Sequence, residues 1–309
     1  MKSQISYGKM QIPLYRTYAA PLSGLKSIPE SGFTGRNNVL FAAEVDVEVF
    51  GDNFMPAYTE GDNSNVVPTD TMKNFVLRKA LEFQGSTLEG FLDFLGREFL
   101  ATYPQMQSLR LTGREQPFVA ARVPKPGGQT FDGSEVLFSR SRNDHAFATL
   151  DMERDGDGAR ITAHRCGRRG LQLIKVTGSA FAQFVRDEYT TLPERVDRPL
   201  FIYLDVYWRY ADVARMVAPE LSQYIAAEQV RDFVQVVFHG FVSMSIQHLV
   251  HEMGVRLLDR FPQMAEVSFE AQNRLWDTGF VSEEDDKRKV YTDPRPPYGQ
   301  IKLTLSREK

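Results

Sequence analysis

The chain has 309 residues, of which 42% are apolar and 25% charged, a composition typical of globular proteins, with enough length for two domains. A formal net charge of −3 argues against nucleic acid or an anionic membrane as a partner. The single cysteine, the charged start of the chain and the lack of an apolar run long enough to span a membrane predict a cytoplasmic location.

The first half of the sequence predicts an antiparallel sheet with two helices. Residues 39–50 alternate apolar and acidic side chains, as a half-buried strand does. Two amphipathic helices follow, with apolar faces formed by Met72, Phe75, Val76, Ala80 and Phe83, then by Leu88, Phe91, Leu92, Leu95 and Phe99. Strands are predicted near 108–123 and 135–154, joined by a turn at 124–128 that is rich in proline and glycine.

The second half repeats this order after a turn at 155–158. Strands near 159–177 and 199–211 precede two more amphipathic helices, in which the apolar faces contain Val230, Phe233, Val234 and Val237, then Ile246, Leu249, Val250, Met253 and Leu257. Strands near 265–275 and 289–306 complete the unit. Residues 1–155 and 156–309 are therefore predicted to be two repeats of the order ββααββ. The predicted fold class is α+β, with antiparallel sheets and the helices on one face.

Familiar catalytic motifs are absent from the sequence. Among the five histidines only His248 and His251 are close together, and they lack a third partner, so we predict no metal site. Asp155 and Asp157 are interpreted as part of a hairpin turn, because the ligand pattern of a calcium loop does not continue. Cys166 stands among three arginines that could lower the pKa of its thiol. No paired base is evident, which favours an ordinary strand cysteine.

Several short motifs together resemble the urate oxidase family. They are residues 7–9 (YGK), 66–74 (VVPTDTMKN), 184–192 (FVRDEYTTL), 272–274 (QNR) and 294–299 (PRPPYG), the last as in the bacterial members. They cover nearly the whole chain in the family's order. The resemblance implies the tunnelling fold, in which ββααββ repeats assemble into oligomeric β-barrels. It also implies a homotetramer with urate bound at subunit interfaces.

The resemblance implies a set of substrate contacts in the second half of the chain. Phe181 would stack on the urate ring, while Arg198 and Gln247 would hold opposite edges of the ligand. Ile246 would contribute its backbone, and Asn273 would face the place where dioxygen and water bind. A planar guanidinium and an amide suit this role, because urate is a flat anion with alternating carbonyl and N–H groups.

A second set of site residues would come from a neighbouring subunit. It consists of Lys9, Thr69 and Asp70, with Lys9 and Thr69 acting as a general-base dyad. The implied reaction uses no cofactor: urate, dioxygen and water give 5-hydroxyisourate and hydrogen peroxide. Many family members have a histidine two positions after the site asparagine, where this chain has Leu275. The proton relay is therefore expected to use Lys9, Thr69 and water.

Each of these residues also has a structural interpretation. Thr69 and Asp70 are typical helix N-cap residues, and Lys9 could be an exposed lysine. Gln247 could be solvated beside an apolar helix face. Asn273 could mark a β-bulge, since asparagine is depleted in strands.

The phenylalanines and the arginine have structural alternatives as well. Phe181 and Phe184 could lie at i and i+3 on a short helix and belong to the core. Arg198 could form a surface ion pair with Asp197 or Glu194. At the level of function, two alternatives to urate oxidation stay open: a metal-dependent hydrolase or lyase acting on a pterin with the same fold, and a purine-binding protein without catalytic activity.

Overall fold

The computed structural model describes residues 4–140 and 143–308. Its strands are β1 Ser6–Thr17, β2 Leu40–Phe50, β3 Ser108–Glu115, β4 Phe118–Pro124, β5 Phe131–Arg140, β6 His145–Asp155, β7 Gly158–Lys175, β8 Leu200–Tyr210, β9 Met264–Leu275, β10 Thr278–Val281, β11 Lys289–Tyr291 and β12 Arg295–Ser306. The helices are α1 Met55–Thr59, α2 Thr69–Glu82, α3 Leu88–Thr102, α4 Ala214–Val217, α5 Ala227–Gly240 and α6 Ile246–Arg260. None of the helices in the described ranges is long and apolar enough to cross a membrane.

Eight strands form one antiparallel sheet in the order β1-β2-β3-β6-β7-β8-β9-β12. The turn predicted at 155–158 joins β6 to β7, whose last and first residues, Asp155 and Gly158, are paired. In chain order, α2 and α3 follow β2 and precede β3, and α5 and α6 follow β8 and precede β9. The predicted α+β class with antiparallel strands is confirmed.

The two faces of the sheet differ because its strands alternate in polarity. Val45, Val47 and Val49 of β2 are fully buried and belong to one large core with residues of all four long helices. The opposite face carries ion pairs between neighbouring strands, such as Arg110 with Asp151, whose Nε and Oδ1 atoms are 2.6 Å apart. The helices therefore cover one face, while the other is polar.

Three predicted strands were wrong in their continuity. The strand predicted near 135–154 is divided into β5 and β6, which belong to different sheets. The strand predicted at 108–123 is divided into β3 and β4 at Pro117, because proline has no N–H for a ladder hydrogen bond. Beyond this break, β4 pairs with β5 as a separate hairpin. The strand predicted at 289–306 is divided in the same way before Pro294, and its first part, β11, pairs with the short strand β10, which was not predicted.

A buried carboxyl group connects the two halves of the chain. Glu89, in the first turn of α3, is only 3% exposed, and the Tyr224 hydroxyl donates a 2.6 Å hydrogen bond to its Oε2 atom. Burial, which disfavours the ionised form, raises the pKa of Glu89 to about 7 despite this hydrogen bond. Glu89 therefore holds its proton in the folded protein at pH values where it would lose it in the unfolded chain.

This shift predicts a loss of stability as pH rises. Between about pH 4.5 and 7 the unfolded state releases the Glu89 proton while the folded state keeps it, which destabilises the fold by up to about 3 kcal/mol above that window. The variant Glu89→Gln cannot ionise, so we expect its melting temperature to fall less than the wild-type value between pH 5 and pH 8. Equal pH dependence in the two proteins would contradict the assignment.

Candidate functional site

Lys9, Thr69 and Asp70 lie at one edge of the sheet, where β1 meets the start of α2. Lys9 is half-buried on β1 opposite Val47, and Thr69 is the first residue of α2 and also half-buried. The ion pair and hydrogen bond of Asp70 with Lys73, at 2.5 Å, are the main reason that the pKa of Asp70 is lowered, and the charge of Lys9 contributes. The three predicted residues of this set are therefore neighbours in the fold.

The YGK motif explains how Lys9 is held beside α2. The Val67 N–H donates a 3.2 Å hydrogen bond to the Tyr7 hydroxyl, which fixes the segment before α2 against β1. A Cβ atom on Gly8 would lie 1.9 Å from the carbonyl oxygen of Val47, so only glycine fits there. The alternative interpretation of Thr69 as an N-cap is wrong, because Pro68 occupies that position and no side chain caps the helix.

Phe181 and Arg198 lie together on a short two-stranded ladder at the other end of the fold. Phe181 and Arg195 exchange two backbone hydrogen bonds of 2.8 and 2.9 Å, and the Arg198 N–H donates to the Ser179 carbonyl at 2.8 Å. The predicted short helix at 181–184 is wrong: the segment is extended or irregular. The two rings of Phe181 and Phe184 stack nearly parallel, with centroids 4.9 Å apart.

The Arg198 guanidinium has an unsatisfied donor next to an aromatic ring. Its central carbon lies 5.6 Å from the centroid of Phe181. Its Nε atom is buried and has no hydrogen-bond partner in the described part of the chain, and burial lowers the pKa of Arg198. Neither alternative ion pair forms: Asp197 accepts from Thr177 and Gly178, and Glu194 accepts from the Gln183 N–H. A buried donor without a partner is costly, so this arginine is suited to an acceptor on a ligand.

Ile246 and Gln247 begin α6 close to the same ladder. Ser245 caps the helix by accepting a hydrogen bond from the His248 N–H. Ile246 is buried and Gln247 is exposed. The ladder and the segment leading to α6 are joined, because the Ala180 N–H donates a 2.8 Å hydrogen bond to the Ser243 carbonyl. The start of α6 is thereby tied to the residue directly before Phe181.

Asn273 and Arg198 line a common cavity of about 410 Å³, whereas Phe181, Ile246 and Gln247 are not part of its wall. Asn273 is half-buried on β9, between Ile202 of β8 and Gly299 of β12. The bulge interpretation has a structural counterpart, since the register between β9 and β12 shifts between the pair Asn273–Gly299 and the pair Leu275–Arg295. The backbone of Leu275 ends β9, and its side chain lies outside the described part of the structure.

The charged residues in the wall of this cavity are mainly cationic. The wall contains Arg195, Arg198, Arg274 and Lys289, with Asp197 as its acidic residue. The Arg274 Nε atom, like that of Arg198, is buried without a hydrogen-bond partner among the described residues. Both the charge and the unsatisfied donors favour an anionic ligand.

Sequence reasoning missed the aromatic part of the cavity wall. The rings of Trp276 and Tyr291 stack with centroids 4.6 Å apart, and Phe201 lies 5.9 Å from Trp276. This stack holds the hairpin of β10 and β11 against the end of β9. The position of Trp276 beside the QNR motif was the one available signal, since the two strands of the hairpin are too short to show a periodicity.

A larger cavity of about 520 Å³ lies elsewhere, under the hairpin of β4 and β5, and contains none of the predicted site residues. Its Arg36 is already paired with Glu115 and Glu228, and its Arg168 with Asp144. These guanidinium groups are satisfied within the chain. We therefore favour the smaller cavity, in which donors are left without partners.

The other candidate groups show no catalytic arrangement. No set of three or more potential metal ligands occurs within residues 4–140 and 143–308, and His248 and His251 are both exposed on α6. Cys166 is completely buried, and burial raises the pKa of its thiol. The interpretation of Cys166 as an ordinary strand residue is confirmed.

The two sets of predicted residues are far apart in one chain. Lys9 is on the edge strand β1, and Asn273 is on β9, six strands further along the sheet. Six spacings of roughly 4.8 Å amount to about 29 Å along the sheet. A small ligand held by Arg198 and Asn273 therefore cannot reach Lys9 or Thr69 of the same chain.

Comparison with known proteins identifies similar chains over the full length. The family model described as uricase matches residues 47–150 and 164–302. The chain is 46% identical to the uricase of Halalkalicoccus jeotgali, with 98% of each chain covered. It is also 46% identical to the uric acid degradation bifunctional protein PucL of Bacillus subtilis, of which it spans 62%. The crystal structure of urate oxidase from Bacillus sp. TB-90 is 44% identical, with a TM-score of 0.93 over 98% of this chain and 100% of that one.

Proposed function

The chain belongs to the uricase family, and we propose that it is a urate oxidase that converts urate, dioxygen and water to 5-hydroxyisourate and hydrogen peroxide. The family match over both halves of the chain carries this conclusion. The cavity supports it, because its charged residues are mainly cationic and the Arg198 Nε has no partner within the described ranges, while the substrate is a flat anion with several acceptor oxygens.

We propose that urate is held by residues of the second half. Phe181 stacks on the purine ring, and its position beside the Arg198 guanidinium, 5.6 Å from the ring centroid, supports this role. The Arg198 guanidinium donates to one edge of the ligand, and the Gln247 amide and the Ile246 backbone meet the other. The hydrogen bond from the Ala180 N–H to the Ser243 carbonyl supports this arrangement, since it keeps Phe181 and the start of α6 together.

Lys9 and Thr69 are proposed to remove and relay the protons. Lys9 takes a proton from urate, and the Thr69 hydroxyl passes protons between the amine and water, while Asp70 completes the contact with the ligand. Asn273 holds dioxygen and water on one face of the ring.

No cofactor is needed in this scheme. The deprotonated purine is electron-rich and gives two electrons to dioxygen, which takes up two protons and leaves as hydrogen peroxide. Water supplies the hydroxyl group that is added to the oxidised ring. With Leu275 at the position of the usual histidine, the relay consists of Lys9, Thr69 and water.

The site is proposed to form between two chains of a homotetramer. The separation of about 29 Å along the sheet between β1 and β9 supports a site made of Lys9, Thr69 and Asp70 from one subunit with Arg198 and Asn273 from another. The strands β1 and β12 end the sheet, and such edges need partners. Residues 1–155 and 156–309 are proposed as two repeats of a tunnelling fold that closes into an oligomeric barrel in the cytoplasm.

An oxygen-consumption assay tests the proposed function. Purified protein is mixed with urate in air, and the loss of urate absorbance, the uptake of dioxygen and the formation of peroxide are followed together. We expect one dioxygen consumed and one peroxide formed for each urate, without effect of a metal chelator. Urate binding without oxygen uptake would identify a silent purine-binding protein, and inhibition by the chelator would favour a metal enzyme.

A further inference from the structure

The carboxylate of Asp197 lies among several hydrogen-bond donors directly before Arg198. Its Oδ2 atom accepts from the Thr177 hydroxyl at 2.6 Å, and its Oδ1 atom accepts from the Gly178 N–H at 2.7 Å. The side-chain hydrogen bond from Thr177 and the backbone N–H groups of Gly178, Ser179 and Arg198 lower the pKa of Asp197. The carboxylate is therefore ionised at neutral pH and binds two segments of the chain together.

The turn that presents these donors depends on Gly178. Its φ angle is +78°, and a Cβ atom there would come within 3.2 Å of Cε and Nζ of Lys175. This left-handed conformation is unfavourable for other residues. Lys175 in turn donates hydrogen bonds of 2.9 and 2.8 Å to the carbonyl oxygens of Phe238 and Phe241 at the end of α5. The turn is thus fixed between Asp197 and the segment that leads to α6.

The same turn continues into the ladder that carries the proposed urate contacts. The Arg198 N–H donates to the Ser179 carbonyl, and the Ala180 N–H donates to the Ser243 carbonyl, both at 2.8 Å. Ser179 and Ser243 are fully buried and pair as a parallel bridge. Residues 177–181 therefore connect three elements: Arg198, the Phe181 ring and the start of α6 with Gln247.

We propose that Asp197 is a positioning residue for urate: its carboxylate holds the turn at 177–179, so that Phe181, Arg198 and Gln247 keep the mutual geometry that binds the purine. This inference rests on the proposed function. Asp197 acts through Arg198 and the turn rather than on the substrate, and both of its oxygens are occupied by donors of the chain. Asparagine would keep the shape of the side chain but remove the charge and turn an NH2 group toward one of the donors.

The test compares urate affinity with turnover. We expect Asp197→Asn to raise both the Michaelis constant and the dissociation constant for urate by roughly tenfold or more, with turnover at saturating urate within about threefold of wild type. The dissociation constant is measured by calorimetric titration with urate in the absence of dioxygen, so that no substrate is consumed. Because Asp197 is exposed, we expect the melting temperature of the variant to stay close to the wild-type value.

Glu220→Gln is the matched control. Glu220 accepts hydrogen bonds from the Ser222 N–H and hydroxyl, as Asp197 does from its own neighbours, but it lies outside the cavity of Arg198. We expect its urate affinity to equal that of wild type. Thr177→Val removes one of the two hydrogen bonds to the Asp197 carboxylate. We expect it to weaken urate binding, as Asp197→Asn does, but by a smaller factor.

The outcomes distinguish a failure of the positioning role of Asp197 from a failure of the proposed function. If Asp197→Asn binds urate as tightly as wild type, or if it loses affinity only together with a large fall in melting temperature that Thr177→Val shares, the positioning role is overturned. If wild-type protein itself does not bind urate, the proposed function has failed instead. A loss of affinity in Asp197→Asn and Thr177→Val, with Glu220→Gln unchanged, supports the proposal.

Discussion

Replacing Lys9 with methionine is expected to lower the turnover number of urate oxidation by roughly a hundredfold or more, as for the loss of a general base. Lys9 lies half-buried beside Thr69, and methionine preserves most of the length and the apolar part of the side chain. Urate affinity should change little, because Arg198, Gln247 and Phe181 make the proposed contacts that hold the ligand. Steady-state kinetics and an anaerobic urate titration measure the two quantities separately.

Lys125→Met provides the control for this substitution. Lys125 is an exposed lysine of the β4 and β5 hairpin, paired with Asp132, and it is outside the proposed site. Its variant should turn over urate at the wild-type rate. Unchanged turnover in Lys9→Met would remove Lys9 from the role of base, and an equal loss in both variants would indicate a general effect of lost positive charge.

Replacing Arg198 with alanine is expected to weaken urate binding by roughly a hundredfold, which corresponds to about 3 kcal/mol for charge-assisted hydrogen bonds. The reason for this expectation is the buried Nε atom of Arg198, which has no hydrogen-bond partner among residues 4–140 and 143–308. The Michaelis constant and the anaerobic dissociation constant should both rise, and turnover should fall as the ligand loses its orientation. Arg198→Lys keeps the charge but not the planar fork, so it should recover only part of the affinity.

Arg186 offers a matched control on the same loop. Its guanidinium lies 5.4 Å from the centroid of Phe184, a geometry close to that of Arg198 over Phe181, but it does not line the cavity. Arg186→Ala should bind urate within about twofold of wild type. A Michaelis constant for Arg198→Ala equal to that of wild type would contradict its assignment as the residue that grips the ligand.

The sequence predicts most of the fold because the long elements have clear periodicity. The alternation of Val45, Val47 and Val49 with acidic residues identifies β2, and the apolar stripes of α3 and α6 identify those helices together with their buried faces. The division at Pro117 was missed, since the residues on both sides of it are compatible with one strand. The β10 and β11 strands have four and three residues, too few to show an alternation.

The candidate site was predicted less completely, and for a physical reason. Motif resemblance locates individual residues such as Arg198 and Asn273, and the structure places both on one cavity. The support around them depends on contacts between distant segments: the Asp197 carboxylate binds residues 20 and 19 positions away, and Trp276 stacks on Tyr291. Such contacts leave no periodic pattern in the sequence, because they depend on the turns and irregular segments that only the folded chain brings together.

Each active site is proposed to combine the β1 end of one chain with the Arg198 cavity of another. Co-expression of Lys9→Met and Arg198→Ala chains distinguishes such a shared site from a site within one chain. If two chains contribute, a random mixture should contain about one quarter of sites with both an intact lysine and an intact arginine, and urate oxidation should recover to about that fraction of wild type. If the mixture stays at the low activity of the two variants expressed alone, the shared site is contradicted.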